Sequence, residues 1–191
     1  MQVYQLQQPE NLGARSHPWV SSLNDPSHRY EDFVTHPERI RESLEDLVDW
    51  RAYRSTETLF RLIERLNGPD SALMTNDCAF NSPAPHAGQH SDRRLEASGR
   101  VSVLFRDLEL NTEPARIEAL TQRVAVALEP MEPGFSDGAI AASIVDVNFT
   151  TLQPPAPGKQ LLLSFWSWGD DVFETLFHLD RTLISLSAAL P

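Results

Sequence analysis

Segment 159–168, KQLLLSFWSW, carries large apolar side chains at both phases of its alternation: Leu161, Leu163 and Phe165 on one side, Leu162, Ser164, Trp166 and Trp168 on the other. Such a pattern predicts a strand whose two faces both need cover. The amphipathic segment that follows can pack on the first face. The second needs another layer, a ligand or a partner protein, and is the main functional clue in the chain.

Helical spacing appears four times. Thr35 and Glu38 have capping-box spacing with Pro37 in the first turn, and Ile40, Leu44, Leu47 and Val48 then recur at helical intervals, which predicts a helix over 37–50. Ser55 opens a second over 55–66, with Leu59, Leu62, Ile63 and Leu66 on one face and Asn67-Gly68-Pro69 as its stop. Asn111-Thr112-Glu113-Pro114 begins a third that buries Ile117, Leu120, Val124 and Leu128. Asp171 and Glu174 cap a fourth over 170–189, with Val172, Leu176, Leu179, Leu183 and Leu190 turned inward.

Strands are expected at 72–80, at 100–110 with a bulge near Arg106-Asp107, at 139–152 and at 159–168. The polar, breaker-rich stretch 81–99 reads as a long connection, and PPAPG at 154–158 as a stiff one. From residue 70 the order is thus strand, strand, helix, strand, strand, helix. That predicts an α+β fold: an antiparallel sheet of about four strands with two helices on one face. Residues 1–34 lack periodicity and are expected to form an irregular arm anchored by Trp19, Tyr30 and Phe33, followed by one domain over 35–191 that includes the helix pair. In this layout the second face of the sheet gathers Asp146, Asn148, Ser164, Trp166 and Trp168, with Ile144, Thr150, Leu162, Leu104 and Arg106 as neighbours. The helix pair or the arm would cover part of it.

Composition narrows the function. The 191 residues carry a net charge of −11, and residues 107–191 hold 12 acids against 4 bases. A field of that sign repels phosphates and anionic lipid, which argues against nucleic-acid and membrane partners and for partners with a basic surface. One cysteine, Cys78, excludes an internal disulfide and leans the expected compartment to the cytoplasm, as does the lack of a signal-like start or an 18-residue apolar run. Fifteen of the sixteen basic residues are arginine, so Schiff-base chemistry would depend on Lys159 in a Pro/Gly turn. Phosphate-loop, dinucleotide, nucleophile-elbow, zincin and Cys-x-x-Cys motifs are all missing.

Residue chemistry offers weaker candidates. Asp77, Cys78, His86 and His90 could ligate a metal or form a Cys/His nucleophile pair, but His86 and His90 share no helix or knuckle, so no metal or cofactor is expected. Asp146 with Asp107 or Glu109 could supply paired carboxylates, although solvated edges or pairing with Arg100 and Arg106 explain these acids as well. Asp170-Asp171 fits helix capping better than cation binding, and His178 has no evident partner.

The leading expectation is a non-catalytic protein- or peptide-binding protein, an accessory or substrate-recognition subunit or an acidic inhibitor of the immunity type, in a hetero- or homo-oligomer. Its binding residues would be Trp166, Trp168, Ser164, Asp146, Asn148 and Arg106. The competing expectation is a small-molecule enzyme with its pocket on the same face and 81–99 as a lid. A deep cavity would favour the second and a flat face the first.

Overall fold

The computed structural model describes residues 1–6, 15–20, 30–43, 53–86, 91–131 and 133–191. Its fold is α+β, built on a six-stranded mixed sheet. The strands are β1 (Gln2–Leu6), β2 (Arg15–His17), β3 (Leu73–Pro85), β4 (Leu95–Phe105), β5 (Gly138–Phe149) and β6 (Ala156–Gly169). The helices are α1 (Ile40–Ser43), α2 (Arg54–Asn67), α3 (Pro114–Leu128) and α4 (Val172–Ala189). Short 3₁₀ turns precede α1 at Pro37–Arg39 and α3 at Leu108–Thr112.

Two hairpins, β3-β4 and β5-β6, join through antiparallel β4-β6 pairing, so the central order is β3-β4-β6-β5. This is the expected four-stranded antiparallel unit, but the sheet is larger and mixed. The arm expected to be irregular supplies β1 and β2, which lie in succession along the outer edge of β5 and run parallel to it. Strands of five and three residues carry too little alternation to announce themselves; hydrogen bonds from the β5 edge hold them. The first hairpin also differs in detail. β3 runs on to Pro85 through register shifts after Thr75 and Asn81, and β4 begins at Leu95, so much of the expected 81–99 connection is strand. The expected bulge at Arg106-Asp107 is instead the end of β4.

One face of the sheet, the helix face, receives α2, α3 and α4. Val101, Val103, Ile140, Ala142, Leu161, Leu163 and Phe165 pack there against Leu62, Ile63, Val124, Leu176, Leu179 and Leu183. Gly99 is required in this layer, because a Cβ there would fall 2.4 Å from the Phe165 ring and 2.8 Å from the Ala79 carbonyl oxygen. α2 lies beside α4 and does not cover the opposite face. The expected 37–50 helix is seen only as the 3₁₀ turn and α1, its remainder lying outside the described residues. α4 starts as its sequence indicates: Asp171 accepts from the Glu174 amide at 2.8 Å, while Glu174 accepts from the Asp170 amide at 2.7 Å.

The sheet curls about its second face. β2 at one edge meets β3 at the other through side chains: Arg15 donates to Asp77 at 2.6 Å, His17 Nδ1 lies 2.8 Å from Asn76 Oδ1, and Asn76 Nδ2 donates to Ser16 O and Gln160 Oε1, both at 3.0 Å. Beneath this closure sits a second small core of Met74, Leu104, Val147 and Phe149. The lower half of the concave face is thus sealed by the chain's own N-terminal segment, with Tyr30 packed edge-on to His17 at 5.4 Å.

Candidate functional site

Strand register fixes which residues share the concave face. Ser164 lies opposite Arg100 on β4 and Ala141 on β5; Trp166 lies opposite Ser98 and Ala139; Leu162 lies opposite Ser102 and Ser143. Asp146 pairs with Lys159 and Asn148 with Pro157, and both share the strand phase of Ile140 and Ala142, whose side chains enter the helix-face core. The grouping of Asp146 and Asn148 with the tryptophans is therefore corrected: they lie on the other face of the sheet. Alternation divides each strand into two phases, but the pairing of phases between strands depends on the turn that joins them. Asp146 forms an ion pair with Lys159 at 2.5 Å near the surface, and Asn148 is exposed.

Arg106 is not in the site either. Its guanidinium donates to Gly68 O at 2.6 Å and its amide to Ala72 O at 2.8 Å, which ties the end of β4 to the turn after α2. Asp107 does not face Asp146 but accepts from the Glu109 amide at 3.2 Å as the cap of the 3₁₀ turn. Of the six expected binding residues, the structure brings together Ser164, Trp166 and Trp168, and only the first two are open to solvent.

Trp168 is 2% exposed. Its indole N–H donates to Glu96 Oε2 at 2.8 Å, and the same oxygen lies 3.1 Å from His86 Nδ1. His178 Nδ1 donates to the Trp168 carbonyl at 2.6 Å, so this histidine is a buried structural donor. Arg93 clamps the region further, with bonds to Asp137 at 2.9 Å and Asp170 at 2.7 Å. Trp168 is thus a plug between the β3-β4 hairpin and the start of α4.

Trp166, two residues earlier on the same face, is only partly covered. It borders an open depression of about 180 Å³ lined also by Ala79, Asn81, Ser98, Arg100 and Ser164. Small side chains opposite the indole and the guanidinium, Ala139 and Ala79, leave the room for it. The sequence marks Arg100 only as a partner for acids and does not single out Ala79, Asn81 or Ser98. The signal available was the polar phase Ser98, Arg100, Ser102 set against Val101 and Val103.

Charge at the depression is unlike that of the whole chain. Asp77, its side chain 6% exposed, accepts from both Arg15 and Arg100, the latter through Nε at 2.9 Å. One carboxylate therefore serves two guanidiniums. Burial holds Arg15 below the ordinary arginine value against the pull of Asp77, and the nearby Arg100 charge adds to the lowering. One row below Arg100, Ser102 is fully buried, and among the described residues neither its hydroxyl nor the Nε2 amide of Gln160 has a partner.

The candidate metal and nucleophile set does not assemble. Asp77 is committed to arginines and His86 to Glu96, while His90 lies outside the described residues. Cys78 points to the helix-face core, where burial pushes its thiol up to about 12. Among the described residues no three metal-ligating side chains cluster, and no helix is long and apolar enough to cross a membrane. Set against known proteins, the chain matches no family model, no curated protein and no solved structure.

Proposed function

We propose that the chain is a recognition protein that binds an extended segment of another protein across the open half of its concave sheet face. The observation that carries this reading is the contrast between Trp168, sealed, and Trp166, left partly open beside Arg100 in a shallow depression. An indole beside a guanidinium combines the two side chains most enriched at binding hot spots. Ser98, Ser164 and Asn81 add the sparse polar groups that orient a ligand without much desolvation cost.

Size and shape favour a segment over a metabolite. Enclosed small-molecule sites run from about 300 to 1,000 Å³ and bury most of their ligand. A depression of about 180 Å³, open to solvent, suits one or two side chains of a chain passing over it. Asp146 and Asn148, which the small-molecule reading places on the pocket wall beside Ser164 and the tryptophans, lie on the other face, and Asp107 caps a 3₁₀ turn.

The experiment is selection of a random peptide library on the purified protein and on its Trp166→Ala variant. Enrichment of a common motif on the parent and its loss on the variant is the expected outcome. No enrichment, or enrichment indifferent to Trp166→Ala, overturns the reading.

A further inference from the structure

We propose that the depression selects an acidic side chain: the bound segment presents an aspartate or glutamate carboxylate to Arg100 and an apolar side chain two residues away to Trp166. This specificity rests on the segment-binding reading above and deepens it. It runs against the total charge of −11, which favours basic partners.

Local groups decide the sign at contact distance, because charges beyond about 10 Å are largely screened at physiological salt. Beside the depression Arg15 and Arg100 share Asp77, and these three groups sum to one positive charge, while Glu96, one row beyond Trp166 on the same face, is turned to the Trp168 indole N–H and His86. Among the described residues only Nε of Arg100 has a partner, and its two terminal nitrogens have none. Those nitrogens form the planar fork that grips a carboxylate with two parallel hydrogen bonds. The Arg100 side chain is 38% exposed, open to a ligand yet anchored at its base, so little of its freedom is left to lose on binding.

The surrounding donors point the same way. The Ser98 and Ser164 hydroxyls line the same floor, and the Asn81 amide there donates to Ser98 Oγ at 3.2 Å. All these donors belong to side chains on strands. Capture of a chain terminus generally uses a nest of backbone amides, so the carboxylate expected here is a side chain within a continuing segment.

Spacing gives the motif. The Arg100-Ser164 pair and the Ser98-Trp166 pair are successive rows on one face, two residues apart along each strand. That separation is about 6.8 Å, the distance between alternate side chains of any extended peptide. A ligand lying along the strands therefore sets its acidic residue at Arg100 and an apolar residue two positions away at Trp166, which reads as acidic-x-apolar or apolar-x-acidic according to the direction of the segment.

The test uses fluorescein-labelled heptapeptide pools, acetylated and amidated at their ends, with Leu or Phe at both i−2 and i+2 and either Asp/Glu, Asn/Gln or Lys/Arg at i. A fourth pool ends at position i with a free C-terminal carboxylate and keeps the Leu or Phe at i−2. Anisotropy titrations against the whole protein are expected to show the capped acidic pool binding about 10- to 100-fold more tightly than the amide pool, the range for a hydrogen bond to a charged group. Arg100→Gln should erase that preference. Ser98→Glu, which sets a competing carboxylate on a partly exposed floor position, should do the same without disturbing Asp77. Equal binding of acidic and amide pools, preference for the basic pool, or binding of the uncapped pool alone overturns the acidic specificity while the segment-binding reading stands. If no pool binds, that reading fails and this inference with it.

Discussion

Replacing each of the two neighbouring tryptophans with alanine should separate core from surface by stability alone. Trp168 is 2% exposed, and its indole N–H is engaged by Glu96 at 2.8 Å. Deleting a buried aromatic of this size costs about 3–5 kcal/mol, and the site cannot readily collapse because the Arg93 clamp and the His178 contact fix its walls. In a domain of this length each kcal/mol lowers Tm by about 2–4 °C, so Trp168→Ala should melt about 6–20 °C below the parent. Trp166 is already partly hydrated and faces Ala139 and Ser98, so its removal exposes little new apolar area. Its cost should be about 1–1.5 kcal/mol, or about 2–6 °C. Thermal melts followed by far-UV circular dichroism, with urea titrations to check that the m-value is unchanged, measure both. Equal losses for the two variants would show Trp166 to be core as well and would remove the open depression on which segment binding depends.

Three further outcomes follow from the fold. Asn111 is fully buried and spans Phe105, accepting from its amide at 2.8 Å and donating to its carbonyl at 2.9 Å; Asn111→Ala strands both groups and should cost about 2–4 kcal/mol in urea unfolding, with a change under about 1 kcal/mol arguing against the bridge. Burial lowers the His17 pKa in the folded state, against the raising influence of Asn76 and Asp32, so the unfolded chain takes up the proton first and stability falls as pH drops below the ordinary value of about 6.5. His17→Gln should flatten the decline in Tm between about pH 7.5 and 5.5 by no more than about 1.4 kcal/mol per pH unit, and an unchanged slope would place the titration elsewhere. The Cys78 thiol, pushed up to about 12 by burial with Asp77 adding to it, should react with a disulfide reagent at about pH 8 far more slowly than a free thiol of ordinary pKa; labelling of the native protein at the free-thiol rate would contradict its placement.

The parts of this fold legible in the sequence are those that a single element decides for itself. α2, α3 and α4 each carry a 3.6-residue apolar period over three or more turns, and the residues that period marks are buried except Val172, while Phe60 on α2 and His178 and Asp180 on α4 are buried outside it. β5 and β6 announce their alternation, and β6 does need cover on both faces. What sequence hides is every relation between elements. Gln2–Leu6 and Arg15–His17 become strands only because β5 offers an edge. β3 keeps pairing through Pro83 and Pro85 because it is itself an edge strand, where a missing amide proton costs nothing to a neighbour.

The site shows the same division and explains why half of the expected residues fall away. A one-residue change of phase between neighbouring strands moves a whole set of side chains to the opposite face, and this is what separates Asp146 and Asn148 from Ser164 and Trp166. The two tryptophans are equivalent by alternation, yet Glu96 and His86 close over one and, among the described residues, nothing equivalent reaches the other. The charge of the site is hidden most deeply, since it depends on Arg15 meeting Asp77 across 62 residues and the whole width of a curled sheet. Were the sheet flat, Asp77 would neutralise Arg100 alone and the concave face would carry no excess charge. The curl that brings a second guanidinium to the same carboxylate is therefore what turns a polar patch on an acidic protein into a place suited to acids.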